Sequence, residues 1–496
     1  MRGPASLLVI VLTGALAGSC ATDPSYPTGA HPFPSTFQLV TVANLPATCF
    51  GQTYFEASTA LCPSGVTYLL CGGSSYSQYV CQGPQSGWTL DTNAWDPVAS
   101  GPSTCATADS GSQGVSGTVY VEANVAAPTE NAILQYRYCN GSLLETVVAR
   151  YGTGGTGSFD LGDDGILDAD QQLVVNESQT LLFAVNQGSD SIAAFQIGPE
   201  GALTPVPGSP FDSGGPAPTS LGISGNILVV ANKASDGLRN LNDRLPNYTT
   251  FTIAANGALA PTGTSFVLPY GSSPTQVYIA GGGTLVFTSE ETGVLRGLQL
   301  SPTGALTLAP GSPVALPDSI FYDGPRPVPV WPAGLSSAPH GSVLWTGVPN
   351  YGSIASFSFS PTGELTLLSG QIEPEGSLPC WSVASADGKR LYFANAGSDN
   401  VSVWDTSQDP GHPSWLQTAT LTGGGNPWGL RIDPSGTFLF VITPRQIRQI
   451  PTNEGQLLHA LRIEADGTLD GIPGSPVPIP VGFDTNPLGV AVVTDR

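Results

Sequence analysis

QQLVVNESQTLLFAVNQGSDSIAAFQIGPEGALTPVPGSPF, residues Gln171 to Phe211, is the stretch from which the fold can be read. Leu173–Val175 is a short apolar run. Asn176–Gln179 is a polar turn, and Leu181–Val185 is a second apolar run ending in Asn186. A Gly-Ser-Asp turn leads into the alternating stretch Ser191–Ile197. Pro199-Glu200-Gly201 then turns the chain into a last short strand that runs out at Gly208-Ser209-Pro210. Short β-favouring runs separated by Gly, Pro, Asn and Asp read as four antiparallel strands.

The unit recurs along the chain. Leu298–Pro313 reads LQLSPTGALTLAPGSP, Phe357–Leu368 reads FSFSPTGELTLL, and Leu461–Pro476 reads LRIEADGTLDGIPGSP. The inner half returns as WSVASADGKRLYFANAGSDNVSVW from Trp381 and as GLRIDPSGTFLFVIT from Gly429. A period of about 45–60 residues with four strands per copy predicts a β-propeller, in which each blade buries its faces only against its neighbours.

Composition agrees. Of 496 residues only 10% are charged, while Gly numbers 62 and Pro 45. Ordinary globular chains carry about 25% charged residues, and this balance suits turns and strands. The net charge is −22, from 15 Lys+Arg against 37 Asp+Glu. Such a field repels phosphate backbones and excludes nucleic acid as a partner.

The chain opens with MRGPASLLVIVLTGALAGSCA. Arg2 supplies a positive start, Leu7–Leu12 an apolar core, and Ala15-Leu16-Ala17 a small-residue cleavage site, which together predict an export signal over 1–21. The core is too short for a permanent membrane span. Leu16–Cys20 also resembles a bacterial lipobox, in which Cys20 would be lipidated, so secretion and lipid anchoring both stand as readings. Residues 22–36 read as a tether. The chain has 8 cysteines. Cys49, Cys62, Cys71, Cys81, Cys105 and Cys139 crowd the first third, and in an exported chain they predict disulfides of unassigned pairing within and beside a Cys-rich segment over 37–110. Zinc is disfavoured, because there is no C-x-x-C and no neighbouring His. Cys380 lies far off and reads as a small buried residue.

The propeller is predicted over 115–496. Gly117–Asn124, Ala132–Tyr138 and Leu143–Tyr151 supply three strands. Whole blades then begin near Gln171, Pro218, Pro274, Pro332, Pro379 and Pro427. The terminal PLGVAVV, Pro487–Val493, has the sequence of an inner strand and completes the three-stranded unit. The expectation is an all-β, seven-bladed β-propeller whose N- and C-terminal strands share one blade. Closure leaves no open sheet edge to template aggregation, and the chain is read as a monomer.

The segments LLFAVNQGSDSIAAFQI, GALTPVPGSPF, LYFANAGSDNVSVW and the TGGTG…LGDDG loop resemble the lactonase-type seven-bladed propellers. That family takes in 6-phosphogluconolactonase-like enzymes, the 3-carboxymuconate lactonizing enzyme and YVTN-repeat surface proteins. The resemblance covers Val115 to Val493. It implies a site at one mouth of the central channel, built from a Pro-Arg-His entry to an inner strand and an Asn-Glu at the end of the next strand. Here Pro274-Thr275-Gln276 and Ser289-Glu290 stand in those places. Glu290 is kept, but Gln276 cannot accept a proton at neutral pH and Thr275 cannot pair with an anion.

Two function classes follow. The first is a binding or scaffold propeller. It would take a small neutral ligand, a carbohydrate or a protein at the mouth, through Trp381, Trp428, Asn186, Asn232, Asn395 and Ser220. The second is an extracytoplasmic lactone hydrolase or lactonizing isomerase using Glu290 and Gln276. Trp381 and Trp428 either stack a ligand or plug the channel between blades. Asp160, Asp163, Asp164, Asp168 and Asp170 form either a solvated loop or a calcium loop; no other cofactor is expected. Sequons stand at Asn140, Asn176, Asn247 and Asn400, and His31, His340, His412 and His459 form no triad pattern.

Overall fold

The apolar runs that punctuate the sequence pair as antiparallel strands. In a computed structural model they form seven separate sheets around a ring. The structure describes residues 115–495 apart from 140, 144–146, 159–168, 236–240, 242, 318–329, 377, 446–454 and 483–484. Before residue 115 it describes only the backbone of short strands: Leu7–Ile10 against Phe37–Val40, and a small sheet of Gly65–Val66, Tyr79–Cys81 and Trp88–Leu90. The calls on the export signal, Cys20, the tether, the side chains of Cys49, Cys62, Cys71, Cys81 and Cys105, and Asp160 to Asp168 lie outside the described residues.

Blade 1 is the stretch that opened the reading: Leu173–Val175, Leu181–Asn186, Ser191–Ile197 and Leu203–Pro205, in that order from the inside out. The inner strands of blades 2 to 6 are Pro218–Ser224, Pro274–Ala280, Leu335–Ser337, Pro379–Ala384 and Leu430–Ile432. Leu488–Thr494 is the inner strand of blade 7 and pairs with Ser116–Glu122, from Leu488↔Glu122 to Thr494↔Gly117. The ring therefore closes through both ends of the propeller chain, as the sequence predicts. Arg137 of that blade grips Asp495 with two 2.6 Å hydrogen bonds, and Ser116 Oγ donates to the same carboxylate at 2.8 Å. Two details differ from expectation. The second strand of blade 7 ends at Glu122 rather than Asn124. The predicted run Leu143–Tyr151 is split into Ser142–Leu143 and Ala149–Gly152, which both pair with Ala132–Cys139.

The repeated motifs have local causes. In the PGSP turns the outer strand breaks and leaves one third-strand N–H without a ladder partner. The serine hydroxyl accepts it: Ala194 N to Ser209 Oγ at 2.9 Å, Gly297 N to Ser312 Oγ at 2.9 Å, Ala460 N to Ser475 Oγ at 2.8 Å. The Gly-containing outer turn of a blade docks on the blade before it. Gly201 O accepts Tyr120 Oη at 2.7 Å, Gly304 O accepts Thr250 Oγ1 at 2.8 Å, and Gly467 O accepts Tyr392 Oη at 3.0 Å. Glycine is needed at Gly467 because φ is +87 and a Cβ there would stand 2.4 Å from Arg390 Cγ. The core lies between blades. Leu181, Phe183, Val185 and Val206 of blade 1 pack on Leu221, Leu228, Val230 and Phe251 of blade 2, and blades 5, 6 and 7 share a larger cluster. Such burial, at about 25 cal/mol per Å², is what holds blades together.

Candidate binding face at the channel mouth

Register defines the mouth. The entry of each inner strand lies beside the end of the second strand: Pro218↔Asn232, Pro274↔Glu290, Pro379↔Asn395 and Leu488↔Glu122. The two rings expected from the sequence do meet at one rim, with Glu122 where Asn124 was expected.

The polar residues of the second-strand ring face sideways into the blades, where each is tied to its own hairpin. Asn186 Nδ2 donates to Ser191 Oγ at 3.3 Å, while its Oδ1 accepts Thr153 Oγ1 at 2.6 Å and Asn131 Nδ2 at 3.0 Å. Asn232 Nδ2 donates to Thr249 Oγ1 at 3.1 Å and to Ser213 O at 3.4 Å. Asn395 Nδ2 donates to Asn400 Oδ1 at 2.8 Å. Thr443 meets His459 Nε2 at 3.2 Å. Glu290 is gripped by Arg296 at 2.6 and 3.1 Å and accepts Tyr248 Oη at 3.4 Å. Thr153 and Ser213 lie just beyond the preceding blades' outer strands, so these amides pin blade to blade as well as strand to strand. All of these second-strand residues are buried.

The inner ring is stitched in the same way. Ser220 Oγ accepts the Val277 N–H at 3.0 Å, joining blades 2 and 3. Gln276 Oε1 accepts the Leu335 N–H, and its Nε2 donates to Gln171 Oε1 at 2.9 Å. Thr275 and Ser289 share a 2.6 Å hydrogen bond. Glu290 thus turns toward Tyr248 of blade 2, while Gln276 turns toward blade 4, and no hydrogen bond joins the two among the described residues. Trp381 and Trp428 are buried, with ring centroids 5.8 Å apart, in the core shared by blades 5 and 6. They pack between blades, and neither indole N–H meets a protein acceptor.

The axis of the ring is occupied by Ala169–Gln172. The Asp170 N–H donates to Thr275 O of blade 3 at 3.2 Å, and Gln171 O accepts the Leu221 N–H of blade 2 at 2.9 Å. The Asp170 carboxylate takes two 3.1 Å hydrogen bonds from Arg431 of blade 6. Blades 3 and 6 stand on opposite sides of a seven-membered ring, so a residue touching both lies across the channel. The Asp170 side chain is 0% exposed and Arg431 19%. In the sequence Asp170 reads only as the last of the aspartate-rich loop, whereas its carboxylate is engaged by Arg431; Arg431 has no local sequence signal, and the two are joined only by the closed ring.

Two further carboxyls at this rim escaped sequence reading. Glu122 is fully buried, and burial raises its proton affinity well above the ordinary range against one opposing hydrogen bond from Asn131. Glu373 follows the outer strand of blade 4. Burial pushes it up to about 7, although Ser402, Trp404 and Asn395 lie close enough to oppose the shift. Neither oxygen of Glu373 makes a well-formed hydrogen bond. Lys233, next to Asn232, is buried against Glu291 at 2.5 Å.

Cys139 and Cys380 are both disulfide-bonded, so Cys380 is more than a small buried residue. Asn247 and Asn400 are buried and hydrogen-bonded through their amides, which removes them as glycan acceptors. The Asn176 amide is engaged with Ser178 and Thr180 in its own turn, and Asn140 lies outside the described residues. His340 sits in a turn and His412 pairs with Asp409 at 2.9 Å. Burial pushes His459 down to about 4. Among the described residues no helix is long and apolar enough to cross a membrane.

No family model and no curated protein matches the chain. Solved structures do. Its structural neighbours are lactonase-type seven-bladed propellers. A putative 6-phosphogluconolactonase from Bacteroides fragilis aligns with TM-score 0.55 and 17% identity over 78% of this chain and 100% of that one. The periplasmic gluconolactonase of Pseudomonas aeruginosa aligns with TM-score 0.56 and 16% identity over 77% and 100%. A putative 6-phosphogluconolactonase from Bacteroides uniformis gives TM-score 0.53 and 15% identity over 76% and 99%. Likeness at this level establishes the shared fold.

Proposed function

We propose that this chain is a binding propeller of the exported space that recognises its ligand on the mouth face without opening a lactone. The Asp170–Arg431 bridge across the axis carries the reading. A substrate entering the channel would have to displace Ala169–Gln172 and break a buried ion pair. The candidate base points the same way: Glu290 is held by Arg296, and Gln276 by Leu335 and Gln171, so neither side chain is free to serve a water or an oxyanion. The start of the chain, with its positive residue, apolar core and small-residue site, supports export. A carbohydrate or protein surface suits a closed, rigid mouth better than a small molecule that needs a deep pocket.

The second reading, an extracytoplasmic lactone hydrolase, draws on the gluconolactonases among the structural neighbours and on Glu290, which keeps its place at the rim. It requires that Glu290 leave Arg296 and that the axial segment withdraw. A pH-stat assay of the purified protein on gluconolactones and aromatic lactones, beside Glu290→Gln, separates the two. The binding reading predicts hydrolysis at the buffer rate for both proteins. Turnover by the wild type that collapses in Glu290→Gln overturns it.

A further inference from the structure

We propose that the joint between blades 4 and 5 on the mouth face is a proton-operated latch, in which Glu373 as the neutral acid donates to Asn395 Oδ1 and loss of its proton releases the crossover between the two blades. A chain of amides with a fixed direction sets this up. Glu375 O accepts Asn400 Nδ2 at 3.3 Å, and Asn400 Oδ1 accepts Asn395 Nδ2 at 2.8 Å. A carbonyl can only accept, so neither amide can be turned round, and Asn395 Oδ1 is left pointing away from the hairpin. That oxygen is buried and meets no donor, and both oxygens of Glu373 are equally bare. The two side chains converge on Gly376. A Cβ there would stand 2.7 Å from Glu373 Cγ and 2.6 Å from Asn395 Cγ, so these two atoms are at most about 5.3 Å apart.

Bare acceptors buried side by side are costly. A carboxylate only accepts and cannot relieve them, whereas a carboxylic acid carries the one donor the cluster lacks. Its second oxygen has a donor within reach. Trp404 Nε1 donates to Ser402 Oγ at 3.1 Å, which leaves the serine hydroxyl hydrogen for Glu373. The titratable groups nearby are Glu375 on the same segment, Tyr351 in the adjoining blade 4 turn and Asp399 in the blade 5 hairpin. None is basic, so none supplies a counter-charge. Burial accordingly outweighs Ser402, Trp404 and Asn395 and pushes the carboxyl up to about 7. The latch sits where release matters. The Glu373 N–H donates to Gly352 O of blade 4, and Leu378 O accepts the Ala396 N–H of blade 5 at 2.9 Å. The inner strand Pro379–Ala384, with Trp381, follows at once. An ionised Glu373 draws water into the seam, and residues 371–376 lift from the hairpin of Asn395 and Asn400. The mouth is thus held shut in acid and loosened above neutrality, whichever ligand it takes.

The test is hydrogen–deuterium exchange of the full-length protein at pH 5 and pH 8.5, corrected for intrinsic rates, beside Glu373→Gln. The glutamine amide can donate to Asn395 Oδ1 at every pH and is the isostere of the latched form. In the wild type the amides of Glu373 and Ala396 are expected to lose protection roughly tenfold to a hundredfold between the two pH values, as follows from a carboxyl raised from 4.5 to about 7. The blade 1 strand Ser191–Ile197 should keep its protection, and Glu373→Gln should show no loss at the joint. Infrared difference spectra of wild type against variant should show the C=O stretch of a protonated carboxyl at pH 5 that is gone at pH 8.5. Equal loss of protection in both proteins, no loss in the wild type, or no carboxylic-acid band at pH 5 overturns the latch. So does a Glu373→Gln protein that fails to fold, because the latched isostere must be tolerated.

Discussion

Glu373→Gln is expected to stabilise the protein at pH 8 and to leave it nearly unchanged at pH 4. Glu373 lies between blades 4 and 5, 4% exposed. Burial pushes its carboxyl from an ordinary 4.5 to about 7. A group whose folded-state proton affinity is raised costs nothing while both states are protonated. It begins to cost stability as pH rises past the unfolded value, and the cost is complete above the folded one. The window is therefore about pH 4.5 to 7, and at 1.36 kcal/mol per pKa unit the full effect is about 3 kcal/mol. The glutamine keeps shape and polarity but carries no charge, so its curve lacks this component. Urea unfolding of both proteins at half-unit pH steps from 4 to 8 reads the difference directly. Other groups, such as Glu122, titrate in both proteins and cancel. Parallel curves would refute the reasoning. So would a variant that is less stable at pH 8, because either result means the carboxylate is solvated or partnered in the folded state.

Further expectations concern the closure and the axis. Arg431→Leu leaves Asp170 charged and fully buried and should cost about 3–5 kcal/mol, while Asp170→Asn leaves Arg431, which water can partly reach, and should cost less; denaturation midpoints rank the two, and the double variant should recover part of the loss. Asp495→Ala removes the carboxylate that the buried Arg137 holds at the ring closure, leaving its hydrogen bonds to Thr118 and Glu200, and should cost about 1–2 kcal/mol by the same measurement. Burial acts to raise the Asp495 carboxyl, but its hydrogen bonds from Arg137 and Ser116 outweigh that and hold it below the ordinary range. Its stabilisation is thus present above that range and fades as pH falls through it. Gly467→Ala meets φ +87 and the Arg390 side chain and should cost about 1–2 kcal/mol, read as a lower thermal midpoint.

Much of the architecture was legible because its signals are local. Leu181–Val185 and its counterparts are apolar runs buried on both faces, and the PGSP and PTG turns repeat wherever a hydroxyl or a docking carbonyl is needed. The terminal strand Leu488–Thr494 was recognisable because it has an inner-strand sequence, which the three-stranded unit at the other end of the propeller lacks. The boundary at Glu122 was missed because Ala123-Asn124-Val125 continues the β-like composition after the ladder has ended. The site was less legible. Asn186, Asn232 and Asn395 were placed correctly at the rim, yet their roles depend on Ser191, Thr249 and Asn400 across the hairpin and on the preceding blade's crossover, which a single sequence does not pair. Asp170 and Arg431 lie far apart in the chain and meet only because the ring is closed. Glu373 sits in an unremarkable Ile-Glu-Pro stretch, and its environment arises wholly from the next blade.

Hydrogen–deuterium exchange across Ala169–Leu173 tests the central claim, that the channel is closed by the protein's own chain. The Asp170 N–H is bonded to blade 3, and Gln171 and Gln172 accept N–H groups from Leu221 and Val185. Exchange of the Asp170, Leu221 and Val185 amides as slow as in the blade strands, with Arg431→Leu accelerating the Asp170 amide selectively, is the predicted result. Exchange at the rate of an exposed loop in the wild type would contradict the account, since the axis would then open readily enough to admit a substrate to the rim below Glu290.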